Sequence, residues 1–150
     1  KHFTYGWGFA AGFAQPESLN DARPIRCGDD APRDFDMTFQ GTVPVRKALQ
    51  LSLNVPAVAL LDRVGASRLS ARLKQAGGNL VLPKDEVPGL AMGLGGVGVT
   101  LQDLVQLYSG IPRLGTTLPL RETIRGHYDH RDPLRLLDQP PAQQLRQVQR

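Results

Sequence analysis

The tripeptide Ser52-Leu53-Asn54 constrains this chain most, because it interrupts an apolar helical pattern that runs into it and out of it again. A hydroxyl and a carboxamide two positions apart do not share one face of a continuous helix. Pro56 follows at once and disfavours helical geometry at Val55. We therefore expect the first helix to break near Asn54, where the break can turn both polar groups toward one point.

Two interpretations of this tripeptide are open. A hydroxyl and an amide that meet at one point can relay a proton and hold a peptide group. Serine and asparagine also favour helix ends for their own hydrogen-bonding reasons, so Ser52 and Asn54 are equally typical of capping residues. Taken without its surroundings, the tripeptide favours capping.

Composition places the chain among ordinary globular proteins. Its 150 residues, 41% of them hydrophobic, suffice for about one domain with a packed core. The net charge of +4 comes from basic residues scattered among acidic ones, which argues against nucleic-acid binding. No apolar run approaches the roughly 20 residues that span a bilayer. The single cysteine, Cys27, excludes an internal disulfide and a cysteine-based zinc site.

Apolar spacing predicts a helix-rich body of four or five helices with little strand. The predicted helices are a buried core helix within residues 2–14, a helix after Thr42 with Pro44 in its first turn, a helix from Ala57 to Val64 with Gly65 as its C-cap, a helix capped by Ser67 and ended by Gly77, and a helix opened by Thr100 with Asp103 in a capping box.

Two further expectations concern the second half of the chain. The helix after Thr100 is predicted to bury the face formed by Leu101, Leu104, Val105, Tyr108 and Ile111. The Pro- and Gln-rich tail, residues 139–150, is predicted to be poorly ordered, which leaves residues 1–138 as the folded part.

Neither a metal nor a cofactor is expected. The glycine-rich segment 89–98 lacks the spacing of a dinucleotide fingerprint, and no Lys-Ser or Lys-Thr follows it as in a P-loop. The segment His127-Tyr128-Asp129-His130 offers potential ligands, but their spacing fits no described zinc site.

Three blocks in order carry a family resemblance: Phe35 to Val43 leading into Arg46-Lys47-Ala48-Leu49, then Ser52 to Val58, then Leu94-Gly95-Gly96 followed by Val99-Thr100-Leu101. Over residues 1–138 the chain resembles part of the transpeptidase domain of the class A penicillin-binding proteins, and within them the 1C branch. The resemblance implies a mostly α fragment of an α/β penicillin-binding transpeptidase (β-lactamase-like) fold, namely its helical subdomain without most of the central sheet.

The resemblance implies that the chain is part of a peptidoglycan DD-transpeptidase. Such an enzyme transfers an acyl group from D-Ala-D-Ala stem peptides to serine. In that family, Ser52 would pass a proton and Asn54 would bind the peptide or β-lactam amide. The chain contains neither a Ser-x-x-Lys nor a Lys-Thr-Gly motif. The hypothesis is that Lys1 is the motif lysine and that the nucleophilic serine lies three residues upstream; the alternative is an ordinary solvated charge.

The resemblance also implies partners and a place in the cell. The expected partners are peptidoglycan stem peptides and β-lactams, with no nucleic acid. A parent chain would carry a membrane anchor and a glycosyltransferase domain on the periplasmic side of the bacterial inner membrane. With two motifs absent, this chain alone is expected to be inactive. The alternative function is a degenerate penicillin-binding-like scaffold with an interaction role and no catalysis.

Overall fold

Six α-helices and three short antiparallel ladders make up the part of the chain that the computed structural model describes, namely residues 1–21, 41–82, 87–120 and 132–149. In chain order the elements are α1 (His2–Ala10), β1 (Leu19–Asp21), β2 (Thr42–Pro44), α2 (Val45–Gln50), α3 (Asn54–Val64), α4 (Ala66–Gln75), β3 (Leu80–Val81), a 3₁₀ helix (Leu90–Leu94), β4 (Gly98–Val99), α5 (Leu101–Ser109), β5 (Thr116–Thr117), β6 (Leu134–Arg135) and α6 (Gln139–Val148).

Each ladder joins two strands that are distant in sequence. β1 pairs with β2, β3 with β4 and β5 with β6, all antiparallel. The registers place Leu19 opposite Pro44, Leu80 opposite Val99 and Thr116 opposite Arg135. Each pair lies within the connection between two successive α-helices. The mostly helical content agrees with the apolar spacing of the sequence.

Helix α1 lies at the centre of the core, which explains why it forms despite its glycines. Tyr5 and Phe9 are buried, and the helix packs on both α3 and α6. A Cβ atom at Gly6 would lie 2.8 Å from a methyl carbon of Leu137, and one at Gly8 would lie 2.7 Å from a methyl carbon of Leu60. Close packing of neighbouring elements therefore offsets the weak helix propensity of glycine, about 1 kcal/mol per residue.

The predicted break between two helices is present, with shifted boundaries. Helix α2 ends at Gln50, and α3 begins at Asn54 rather than at Ala57. Pro56 occupies the first turn of α3, where its missing N–H removes no helical hydrogen bond, so Val55 is helical after all. Pro44, predicted in the first turn of its helix, lies just before α2 instead: it ends β2 and is extended.

Helix α4 differs from the prediction at its start and agrees with it at its end. Gly65 is both the C-cap of α3 and the N-cap of α4, so Ser67 lies inside α4 and does not cap it. The predicted inner face is buried at Leu69, Leu73 and Ala76. Gly77 follows the helix in the left-handed region, with φ +93°.

Helix α5 begins as predicted but buries a different face. The backbone N–H of Asp103 donates to the Thr100 side chain at 3.1 Å, which confirms the cap. Leu101 and Val105, however, are 78% and 47% exposed, whereas Leu107 is 1% exposed. The apolar residues of α5 cover more than one face, and the pattern does not specify which of them meets the core.

Residues 139–148 form helix α6, so the prediction of a poorly ordered tail is wrong. Ala142, Leu145 and Val148 are fully buried, and α6 packs on α1. Pro140 and Pro141 fall in the first turn, where proline is tolerated. The buried apolar stripe at spacings of three residues outweighs the polar composition of the segment.

Several predicted features lie outside the described residues: Cys27, most of the block Phe35 to Val43, and the segment His127-Tyr128-Asp129-His130. Among the described residues, no group of histidine, cysteine, aspartate and glutamate side chains is arranged to hold a metal ion. In the same part of the chain, no helix combines the length and apolar character needed to cross a bilayer.

Candidate functional site

The structure brings together the three residues predicted as a site, although more than fifty positions separate the first from the others. The Lys1 Nζ donates to Asn54 Oδ1 at 2.6 Å and to Ser52 Oγ at 3.0 Å. It also donates to the backbone carbonyl oxygen of Ser52 at 2.5 Å. We call these three residues the Lys1 cluster.

Backbone geometry fixes Ser52 at the end of α2. The N–H of Leu53 bonds to the carbonyl of Ala48 at 3.0 Å, and the N–H of Ser52 bonds to that of Leu49 at 3.0 Å. These are the two hydrogen bonds of a Schellman helix end, whose left-handed position usually holds glycine. Here that position is Ser52, with φ +55°. The left-handed conformation costs a residue with a side chain roughly 1–2 kcal/mol of conformational free energy. Such strain concentrates at functional sites.

Burial of Leu53 and Val55 holds the turn with Ser52 and Asn54 in place. Leu53 is 6% exposed and Val55 is fully buried, so the turn that carries Ser52 and Asn54 is anchored on both sides. Asn54 is the first residue of α3, and Lys1 is the N-cap of α1. The cation of Lys1 meets the backbone carbonyl of Ser52 just beyond the C-terminal end of α2, where the helix dipole favours positive charge.

Three aromatic side chains adjoin the cluster, namely His2, Phe3 and Tyr108. The Nδ1 atom of His2 lies 2.8 Å from the Tyr108 hydroxyl, and the Phe3 ring packs edge-on against Tyr108 at 4.9 Å between centroids. Burial, together with the positive charge of the Lys1 side chain, lowers the pKa of His2 below 6.5. Burial also raises the pKa of Tyr108 above 10. Both side chains are therefore uncharged near neutral pH.

The cluster offers a ligand a defined set of donors and acceptors. The Lys1 Nζ directs its N–H groups at three acceptors, which suits the ammonium form. The Ser52 hydroxyl accepts from Lys1 and keeps its own O–H available, while the Asn54 Oδ1 accepts from Lys1. Ser52 is exposed, so an incoming carbonyl or carboxylate can reach these groups.

Sequence reasoning missed two features of the site. It assigned Tyr108 to the buried face of its helix, although Tyr108 is 38% exposed and contacts His2. It also did not identify the left-handed backbone of Ser52. The sequence carries no firm signal for the second, since many helices, but not all, end with a residue in the left-handed conformation.

The comparisons with known proteins give a consistent family. No family model matches the chain. Penicillin-binding protein 1C of Escherichia coli is 39% identical over 121 residues, which cover 81% of this chain and 16% of that protein. Penicillin-binding protein 1B of Vibrio cholerae is 38% identical over 90 residues, or 59% of this chain and 11% of that protein. The predicted resemblance to class A penicillin-binding proteins is confirmed.

The fold matches a solved structure over nearly its whole length. A peptidoglycan glycosyltransferase from Burkholderia ambifaria superposes with a TM-score of 0.82 at 16% identity, covering 98% of this chain and 52% of that one. At this identity the match establishes the fold. The chain spans only a small part of the sequence relatives and about half of this structure.

This match overturns two predictions drawn from the motifs. The fold predicted as the helical subdomain of a transpeptidase is wrong, because the mostly helical chain matches a structure described as a peptidoglycan glycosyltransferase. The predicted function, part of a DD-transpeptidase acting by serine acyl transfer, is wrong on the same comparison. Three short motifs suffice to indicate a family, but they are too few to identify which region of a large protein a chain represents.

Proposed function

Because this chain is homologous to the class A penicillin-binding proteins, we propose that it is part of an enzyme of peptidoglycan synthesis with glycosyltransferase activity. The name of the matching solved structure supports the reaction class. Within this enzyme, the Lys1 cluster binds the peptide part of peptidoglycan, and it binds β-lactams at the same place. The location that suits this role is the periplasmic side of the inner membrane.

One observation carries the binding proposal: the half-buried Lys1 and Asn54 meet the exposed Ser52 at hydrogen-bonding distance. A stem peptide presents carbonyl oxygens, amide N–H groups and a terminal carboxylate. The ammonium of Lys1 attracts the carboxylate, the Ser52 hydroxyl donates to a carbonyl, and the Asn54 amide pairs with a peptide group. The strain at Ser52 supports a role in binding, since the turn would be more stable with glycine.

The experiment is a titration of the chain with a stem pentapeptide ending in D-Ala-D-Ala and, separately, with a penicillin, followed by NMR. We expect shifts at residues around Ser52. Asn54→Ala should weaken peptide binding about fivefold, since a lost hydrogen bond is worth about 1 kcal/mol. Ser67→Ala, at an exposed serine of α4 remote in sequence from the cluster, is the matched control and should bind normally.

The outcomes separate the proposal from its alternative. Equal peptide affinity for Asn54→Ala and Ser67→Ala would contradict a binding role for the cluster. Absence of any binding to peptide and penicillin would favour a scaffold with an interaction role and no chemistry. The glycosyltransferase part is tested on the longest natural protein that contains this chain, by measuring polymerisation of a peptidoglycan precursor into glycan strands.

A further inference from the structure

A cavity opens beside the Lys1 cluster and extends away from Ser52 and Asn54, neither of which lines it. Its volume is about 170 Å³, and it lies between α1, α4, the 3₁₀ helix, the β3–β4 ladder and α5. The floor consists of buried side chains, namely Thr4, Leu69, Leu73, Met92 and Leu107. Apart from the Thr4 hydroxyl, this floor offers no polar side chain that could hold ordered water.

The rim of the cavity connects it to the site already described. Lys1 lines the cavity, and its Nζ belongs to the Lys1 cluster. Tyr108 stands on the same rim and bonds to His2. A lysine stem can pack on apolar surface while its amine reaches polar partners. One side chain therefore forms part of both sites.

Size and chemistry together define the occupant. An apolar cavity of about 150 Å³ in another protein stays dry and binds benzene. The present cavity is slightly larger and opens to solvent. Its lining is mostly apolar, with Thr4 and Tyr108 as polar side chains and Lys1 as the only charged residue among its described lining. We propose that it binds a benzene-sized hydrocarbon group, aromatic or branched aliphatic, on a neutral or anionic molecule.

A second part of the inference rests on the proposed function. Because Lys1 borders both places, the hydrocarbon group in the cavity is the apolar part of a ligand whose polar part is held at Ser52 and Asn54. The cavity then acts as a specificity pocket, favouring ligands with a compact apolar substituent over those without one.

The test uses three probes with the same ring: benzene, benzoate and benzylamine, titrated into the chain and followed by NMR at cavity methyl groups such as those of Leu73 and Leu107. We expect benzene and benzoate to bind. Benzylamine should bind several-fold more weakly than benzoate, because its ammonium faces Lys1 across partly exposed space.

A matched pair of variants on α5 locates the binding. Leu104→Trp places a large ring into the cavity, whereas Val105→Trp adds the same ring at the next position, which does not line it. Leu104→Trp should reduce benzene affinity at least tenfold, and Val105→Trp should leave it unchanged. Equal effects of the two variants, or absence of benzene binding to the unmodified chain, would overturn the proposal.

The two proposals fail separately. Benzene binding measures the cavity without any peptide, so it stands even if the stem peptide does not bind at Ser52. If benzene and stem peptide each bind but neither changes the affinity for the other, the cavity remains a site and the shared-ligand part is wrong. If Leu104→Trp does not fold, the probe series on the unmodified chain still decides the matter.

Discussion

Helices α1 and α2 end with the same pattern of hydrogen bonds but with different residues at the left-handed position. After α1, the N–H of Phe13 bonds to the Gly8 carbonyl at 2.9 Å, and Gly12 takes φ +72°. After α2, Leu53 bonds to Ala48 at 3.0 Å, and Ser52 takes φ +55°. Both are Schellman ends, so the backbone demand is the same at the two places.

The difference shows that at Ser52 a less stable backbone conformation accompanies a side chain that makes a specific contact. At Gly12 the residue type follows from the backbone alone, because glycine reaches the left-handed region without steric cost. At Ser52 the residue type opposes the backbone, and the side chain accepts a hydrogen bond from Lys1. A polar residue at a position that favours glycine is therefore the most informative local sign of function in this structure.

The largest expected effect is at a third helix end, after α4. Gly77 also has a positive φ, +93°, and a Cβ atom there would overlap the buried side-chain amide of Gln106. Gly77→Ala adds backbone strain of roughly 1–2 kcal/mol to the cost of displacing a buried polar group, about 1 kcal/mol. We expect a loss of about 2–3 kcal/mol in the free energy of unfolding, measured by urea denaturation.

Gly12→Ala isolates the backbone contribution at α1. Nothing lies within 4 Å of the added Cβ atom, so only the left-handed conformation is penalised. The expected loss is about 1 kcal/mol, again from urea denaturation. A loss as large as that of Gly77→Ala would show that this end is packed more tightly than the structure indicates.

Ser52→Gly should act with the opposite sign. Relief of left-handed strain, roughly 1–2 kcal/mol, exceeds the added entropy of the unfolded chain, about 0.4–1 kcal/mol. The variant should therefore be more stable by about 0.5–1 kcal/mol, and it should bind the stem pentapeptide more weakly. Thermal unfolding and NMR titration of one sample measure both. A variant that is less stable than the original chain would mean that the Lys1 contact outweighs the strain.

The smallest expected effect concerns pH at the cluster's neighbour. The folded state lowers the pKa of His2 below 6.5, through burial and then through nearby positive charge. The unfolded chain therefore binds this proton more readily, and stability decreases as the pH falls below about 6.5. His2→Gln should make this decrease shallower, measured as the difference in unfolding free energy between pH 7.5 and pH 5.5. Identical pH profiles for both proteins would contradict the assignment.

Much of the fold follows from local patterns. The burial of Leu69, Leu73 and Ala76, the cap at Thr100 and the helix break before Asn54 are all expected from spacing and capping rules. Two of the errors share one cause. The exposed face of α5 and the buried helix α6 depend on which surfaces meet, and this information does not reside in a window of ten residues.

The site was only partly predictable. The sequence marked Ser52 and Asn54 as unusual polar residues at a break, and resemblance suggested Lys1. Their catalytic roles stay predictions. The contacts of Tyr108 with His2 and Phe3 join α5 to the start of α1, and no periodicity of either segment indicates them.

The sequence by itself determined the helix break before Asn54, the end of α4 before Gly77 and the start of α5 at Thr100, because these depend on sterics and hydrogen bonds within one or two turns. Only the tertiary structure decided that Lys1 meets Ser52 and Asn54, more than fifty residues away. That meeting requires α1 to pack in the core beside α3, which its small Gly6 and Gly8 allow by admitting Leu137 and Leu60 at close range. Local rules place the polar groups on the chain, and packing of the helices brings them to one point.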